Sequence, residues 1–338
     1  MGLLKKDKLQ IICFQGYGTK DRLHLRGRAL EDEIIDLEQK GVFALILNTW
    51  KRFETDEIKH TEIEIKAGDS IALKTETDSN GYYVINSPAE HLSNFVTTEG
   101  WLPVEVSFAV DNLTRSINDN NRFVGEMLIP CLDSDYGVIS DIDDTILHTG
   151  VVSSFKWRVL VNTIFKRAGS RNALEGTVDF YHKLHRGKSG KKSNPIFYVS
   201  HSPWNLYRYL ELFLKTNNFP KGPILLRSIS SFRAKNRKSP APQKQHEIVS
   251  ILKTYPSLGF ILIGDGGEKD GDIYIAIAKK FPGQIKAIYL RSVADKKRVE
   301  RVSQLFKEFK EVPFLLVLDS SSKCNMQKRM DLFKTAAV

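Results

Sequence analysis

A change of hydrophobic period near residue 131 is the strongest constraint on how this chain folds. From Lys8 to about Met127 apolar residues mostly alternate with polar ones. The runs are Leu9-Gln10-Ile11-Ile12-Cys13-Phe14, Leu23-His24-Leu25-Arg26-Gly27, Thr61-Glu62-Ile63-Glu64-Ile65, Ile71-Ala72-Leu73-Lys74-Thr75 and Val104-Glu105-Val106-Ser107-Phe108. Strands of that period bury one face, so this part predicts an antiparallel sandwich or small barrel. Asp78-Ser79-Asn80-Gly81 ahead of Tyr82-Tyr83-Val84 predicts the turn of a hairpin, with Gly81 where positive φ is cheap. Residues 29–40 read as a helix, acidic early and closing on Lys40-Gly41. No catalytic set assembles here; Tyr17, Trp50 and Phe53 allow a binding face, but isolated aromatics are more often core, and they read as core.

Beyond Cys131 the apolar runs are unbroken: Val138-Ile139, Ile196-Phe197-Tyr198-Val199, Ile224-Leu225-Leu226, Phe260-Ile261-Leu262-Ile263, Ile285 to Leu290 and Phe314 to Leu318. Most are separated by helix-like segments, which predicts a parallel sheet covered on both faces. The expected fold class is therefore α/β, with a β-rich domain over residues 1–132 and a parallel-sheet domain over residues 133–338. Ligands of such sheets gather beyond the carboxyl ends of the strands, so the residue after each run is where chemistry is sought.

After the first run comes Gly137-Val138-Ile139-Ser140-Asp141-Ile142-Asp143-Asp144-Thr145. Once the strand turns, Asp141 and Asp143 can face one small space, where their repulsion calls for a cation or a shared proton. An Asx-type turn with a helix cap accounts for the same letters if nothing else converges on them. Ser200 follows the second run, and Asp265 follows the fourth inside an acidic loop, Gly264 to Asp272, able to bring two carboxylates to one cation. Lys244 precedes a predicted helix over residues 245–253 and is placed to offset a phosphoryl charge. Taken alone, Ser200 reads as the cap of a helix starting at Pro203, Lys244 as a solvated lysine and Asp272 as a cap for a helix from Ile273. His201 has no visible partner for nucleophilic catalysis and reads as structural or as a neighbour supporting the site residues. Four polar features at four strand-associated positions favour a shared site.

These motifs resemble those of the haloacid dehalogenase (HAD) superfamily of aspartate-nucleophile phosphatases. They are Asp141-Ile142-Asp143-Asp144-Thr145, Ser200, Lys244, and Gly264-Asp265 with Asp270. More closely, Ser140 to Thr145, Asn194 to Ser200 with Ser202 to Tyr207, Gly222-Pro223 before Leu225-Leu226-Arg227, and Gly16-Tyr17-Gly18 resemble the actin-patch-protein type of phosphatidate phosphatase. That resemblance implies a HAD-like Rossmannoid sheet with a small helical cap in residues 146–193. It further implies Asp141 as nucleophile, Asp143 as general acid and base, and Thr145 as the residue orienting the loop and the acid. Ser200 and Lys244 would bind the phosphoryl group, and Mg²⁺ would be held by Asp141, Asp143, Asp265 and Asp270. Four positions depart from the family loop, where Gly266, Glu268, Gly271 and Asp272 replace its usual Ser, Gln, Pro and Glu. Ser228 stands where Asp is usual.

Lys and Arg number 50 against 40 Asp and Glu, a net charge of +10, which favours an anionic partner. Basic runs at residues 186–192 and 233–238 and a mixed apolar and cationic segment over 151–167 fit a phospholipid substrate at an anionic membrane surface. No nucleic-acid motif is visible, and a nucleic-acid partner is not expected. A soluble or nucleic-acid phosphomonoester is the second substrate class, and a non-enzymatic acidic-lipid-binding protein the third reading. Cys13, Cys131 and Cys324 lack ligand-like spacing, and no run approaches a membrane span. The expected location is cytoplasmic, with any membrane contact peripheral.

Overall fold

The computed structural model describes residues 8–32, 57–68, 71–109, 115–142, 171–227, 243–266, 269–291 and 296–317. Two compact units result: residues 1–131 with Asn205–Tyr209, and residues 132–204 with 210–338. The predicted cap up to residue 170, the basic run 233–238, Trp50, Phe53, Asp143 and Thr145 all lie outside the described residues.

The first unit holds β1 (Lys8–Thr19), β2 (Arg22–Asp32), β3 (Glu62–Ala67), β4 (Ile71–Glu76), β5 (Tyr82–Pro88), β6 (Trp101–Phe108) and β7 (Phe123–Leu128). They form one sheet in the order β4-β3-β6-β7-β1-β2-β5. All pairings are antiparallel except a short parallel contact of β1 with β7. Strand alternation explains the core. Leu9, Ile11, Leu23, Leu25, Ile63, Ile65, Leu102, Val104, Val106 and Met127 point inward and are buried together. The outer strands β4 and β5 approach each other, with Thr75 Oγ1 donating to Val84 O at 3.2 Å, so the sheet curls on itself around that core.

Two expectations are corrected here. The turn at Asp78 forms: Asp78 Oδ1 accepts from the NH groups of Asn80 at 2.7 Å and Tyr82 at 2.9 Å, and Gly81 takes φ +74°. It closes no hairpin ladder, because β4 pairs with β3 and β5 with β2. Thr77 draws the end of β4 away. Its Oγ1 accepts from Thr61 NH at 3.0 Å and donates to Ile58 O at 2.7 Å. The helix expected over residues 29–40 does not begin at Ala29, since β2 runs on to Asp32 with Ala29 and Leu30 buried, and residues 33–40 lie outside the described residues. Cross-strand partners on β1, invisible to local pattern, override the helical spacing.

His24 on β2 carries a pH signature. Its ring packs against buried Tyr17, tilted by 45° with ring centroids 4.8 Å apart. Burial, and then the charges of Arg26 and Arg22, hold its pKa down to about 3. Between that value and the ordinary 6.5 the unfolded chain binds a proton that the native chain refuses, so stability falls as pH drops below 6.5. In urea denaturation, wild type should lose up to about 2 kcal/mol between pH 7.5 and pH 5 through this group, and His24→Phe should lose correspondingly less. Equal losses in the two proteins would contradict the assignment.

The second unit holds β8 (Gly137–Asp141), β9 (Ile196–Pro203), β10 (Ile224–Arg227), β11 (Phe260–Asp265), β12 (Ile285–Arg291) and β13 (Phe314–Val317). Its described helices are α1 (Arg171–Arg186), α2 (Tyr207–Thr216, whose first residues belong to the other unit), α3 (Gln243–Thr254), α4 (Asp270–Lys280) and α5 (Lys296–Glu308). The sheet is parallel throughout, in the order β10-β9-β8-β11-β12-β13. This is an α/β fold whose strand order reverses direction at β8, with β9 on one side and β11 on the other. A crevice opens at such a point beyond the carboxyl ends of the two central strands. Every residue of β8 is buried, as the unbroken apolar run requires of a central strand.

Candidate active site

Strand register brings the polar residues to that crevice. Ser140 on β8 pairs with Ile263 on β11, and Asp141 pairs with Val199 on β9. One residue beyond Val199 is Ser200, and two beyond Ile263 is Asp265, so the register carries both to the neighbourhood of Asp141, Asp265 at the end of β11 and Ser200 inside β9. Asp141 is fully buried, with Ser200 and Asp265 each 3% exposed.

Lys244 completes the cluster from α3. It lies in the first turn of that helix, with its side chain wholly buried. Its Nζ donates to Asp141 Oδ1 at 2.8 Å and to Asp270 Oδ1 at 2.5 Å, and stands 5.9 Å from the centre of the Tyr274 ring. Burial works against its charge, but Asp141 and Asp270 outweigh it, and the pKa is raised well above the ordinary lysine value. Lys244 is therefore a permanent cation between two carboxylates, far from the solvated lysine that its place in the sequence also allowed.

Asp270 opens α4. Burial pushes its pKa up to about 6 against the pull of Lys244. Its second oxygen, Oδ2, accepts from Asp265 NH at 3.1 Å. Both of its oxygens are thus engaged, one holding Lys244 and the other the backbone beside Asp265. Gly264 is needed for this fit: a Cβ there would collide with Asp270 Oδ2 and come within 2.8 Å of the Tyr274 hydroxyl, which itself donates to Ile263 O at 2.9 Å.

Two local roles differ from those the letters alone suggested. Ser200 caps no helix. It lies within β9, and its Oγ accepts from Ser202 NH at 2.8 Å, where the register of β9 against β10 shifts. Asp272 is not a cap either, because α4 begins at Asp270 with Lys269 in the capping position, and Asp272 pairs instead with Arg301 on α5. His201 lies close enough to Lys244 and Asp141 to feel both charges. Burial first, then Lys244, holds its pKa down to about 4, so it is neutral at pH 7.

Asp141 Oδ2 is buried and makes no hydrogen bond among the described residues, whereas Oδ1 is taken by Lys244. A buried carboxylate oxygen left open is costly unless a ligand fills the gap. An oxygen-donor set around Asp141 and Asp265 suits a hard divalent cation such as Mg²⁺. Among the described residues no group of three or more His, Cys, Asp and Glu side chains is arranged as a metal cluster, and Asp143 lies outside them. Part of the basic run at 186–192 is engaged in the fold: Lys192 Nζ donates to Asp133 O at 2.7 Å and pairs with Asp133 and Asp135, and Arg186 donates to Lys192 O at 3.3 Å. No helix among the described residues is long and apolar enough to cross a membrane.

Residues 136–292, which hold this cluster, match the sequence model of the family described as "Phosphatidate phosphatase APP1, catalytic domain". Phosphatidate phosphatase APP1 of Saccharomyces cerevisiae is 33% identical over 227 residues, covering 66% of this chain and 35% of its own length. An uncharacterized protein of Schizosaccharomyces pombe is 26% identical over 258 residues, 75% of this chain and 38% of its own. The chain thus spans little more than a third of the length of these curated relatives. A solved family 123 glycoside hydrolase from Clostridium perfringens overlaps 94% of this chain and 73% of its own, but at 8% identity and a TM-score of 0.17 it bears on neither fold nor chemistry.

Proposed function

Because the chain belongs to the APP1-type phosphatidate phosphatase family, we propose that it hydrolyses phosphatidate to diacylglycerol and phosphate, with Asp141 as nucleophile. The observation that carries the proposal is the buried carboxylate of Asp141. One oxygen is fixed by Lys244 and the other is left open at the carboxyl end of the central strand. A carboxylate held by a cation is fixed in its aim, which is what attack on phosphorus demands.

In this scheme Asp141 attacks the phosphorus of the monoester, and a covalent aspartyl phosphate forms as the ester oxygen leaves. Asp143 protonates that oxygen and then takes a proton from the water that hydrolyses the intermediate. Thr145 orients the loop that carries it. Ser200 donates to a phosphoryl oxygen, and Lys244 offsets the charge shared by Asp141 and the phosphoryl group. Asp141, Asp265 and the Asp143 carbonyl would hold Mg²⁺, with Asp270 supporting them from behind. Mg²⁺, when bound, withdraws charge from the phosphoryl oxygens. The lipid would be met at an anionic membrane surface, with the net positive charge of the chain drawing the protein there.

Phosphate release from phosphatidate in mixed micelles, measured beside a panel of soluble phosphomonoesters, tests the proposal. Chelation with EDTA should stop release and Mg²⁺ restore it, with kcat/KM highest for phosphatidate. Turnover confined to soluble esters would discard the lipid, and turnover indifferent to EDTA would discard the metal.

A further inference from the structure

The nucleophile strand is backed by a pair of hydroxyls that the scheme above does not use. Ser140 precedes Asp141 and is fully buried, a polar side chain directly after the apolar pair Val138-Ile139 of β8. Its Oγ donates to Asp141 O at 2.9 Å. The same Oγ lies 2.5 Å from the hydroxyl of Tyr181, a residue of α1 that is 1% exposed. Proton bookkeeping fixes the direction. Ser140 has one hydroxyl proton and spends it on the Asp141 carbonyl, so the Tyr181 hydroxyl must donate to Ser140. Burial raises the Tyr181 pKa, so the phenol keeps the proton it donates.

Tyr181 is itself held firmly. Its ring meets Phe219 with centroids 5.4 Å apart and stacks on Tyr198 at 6.3 Å. One turn further along α1, Leu184 O accepts from the Tyr136 hydroxyl at 3.1 Å and from Asn194 Nδ2 at 3.0 Å, tying the helix end to the residue before β8. Asp141 is the last residue of β8: it still pairs with Val199 on β9, but the ladder to β11 has already ended at Ser140, so its carbonyl lies at the edge of the regular pairing.

We infer that Tyr181 and Ser140 form a hydroxyl relay that fixes the peptide plane between Asp141 and Ile142, and with it the aim of the Asp141 carboxylate and the departure of the chain toward Asp143. They are positioning residues acting through the backbone, and the inference rests on Asp141 being the nucleophile. Linked hydroxyls strengthen each other, and a half-filled pair would leave Ser140 with an unmet acceptor in the core.

The test is a double-mutant cycle on kcat and KM with phosphatidate micelles, or with whichever soluble ester wild type turns over fastest. Tyr181→Phe should lower kcat about 5- to 10-fold with KM changed less than about twofold, and Ser140→Ala should lower it about 10- to 30-fold. Because Tyr181 acts only through Ser140, the double variant should be no slower than Ser140→Ala. Thermal unfolding of each variant separates positioning from bulk stability, since a merely structural pair would lower the melting midpoint and leave kcat per folded molecule unchanged. If Ser140→Ala does not fold, Tyr181→Phe decides alone. Wild-type kcat in folded Tyr181→Phe, or fully multiplicative losses in the double variant, would overturn the relay. Asp141→Asn is run alongside. If it turns over like wild type, or if wild type hydrolyses nothing, the nucleophile assignment fails and the relay with it; if only Tyr181→Phe is silent, the relay alone falls.

Discussion

Asp141→Asn should abolish phosphate release, lowering kcat by about 10³-fold or more, while the protein stays folded. The substitution keeps size and shape. Its amide oxygen still accepts from Lys244, which also keeps its bond to Asp270. What is lost is the negative charge and the open oxygen that attacks phosphorus. Removing one member of a group that acts as a unit costs nearly the whole rate, whereas losing one charge-assisted hydrogen bond costs stability by only about 1–3 kcal/mol. Far-ultraviolet circular dichroism and a urea midpoint near the wild-type value, set against absent turnover, would display that separation. Simultaneous loss of fold and activity would show instead that Asp141 is chiefly a structural anchor for Lys244.

Lys244→Met should be harmful in both respects. Methionine fills much of the volume but leaves Asp141 and Asp270 facing each other in the core without a cation. Removing one partner of a buried ion pair costs about 3–5 kcal/mol, because the remaining charge is stranded. Activity should fall about 10²- to 10³-fold, the usual loss for a donor that stabilises developing charge. Urea denaturation in EDTA, so that no metal substitutes for the lysine, should show a deficit that is largest above pH 7. The deficit should shrink toward pH 5, because Asp270 is already pushed up to about 6 and, once protonated, tolerates burial without the cation. A deficit independent of pH would mean that packing, not charge, is what Lys244 supplies.

How much of this was legible in the letters depends on the range of the interaction. The unbroken runs at Val138, Ile196, Ile224, Phe260, Ile285 and Phe314 became the six parallel strands, because a strand buried on both faces leaves no room for alternation. The positions of Asp141 and Asp265 at strand ends followed from the same runs, whereas Ser200 lies inside β9, which runs on past the apolar residues to Pro203. Local turn chemistry was legible at Asp78 to Gly81, but the pairing of β4 and β5 was not, since Thr77 is claimed by Ile58 and Thr61 and each strand has a longer ladder elsewhere. Ser200 looked like a cap because strand and helix nearly abut at Pro203; three further residues of 3-10 turn separate them. Lys244 could be placed near the site but not identified as a bridge, as its partners lie 103 and 26 residues away. The Tyr181 relay, 41 residues from Ser140, left no local trace at all beyond a serine between the apolar run and Asp141.

The central claim is that Asp141 carries the phosphoryl group. Rapid acid quench of the protein turning over phosphatidate labelled in its phosphate, followed by peptide mapping, tests it most directly. Label on the peptide containing Asp141, released by hydroxylamine as an acyl phosphate is and absent from Asp141→Asn, is the result expected. Label on a different residue, or steady turnover in Asp141→Asn at the wild-type rate, would contradict it.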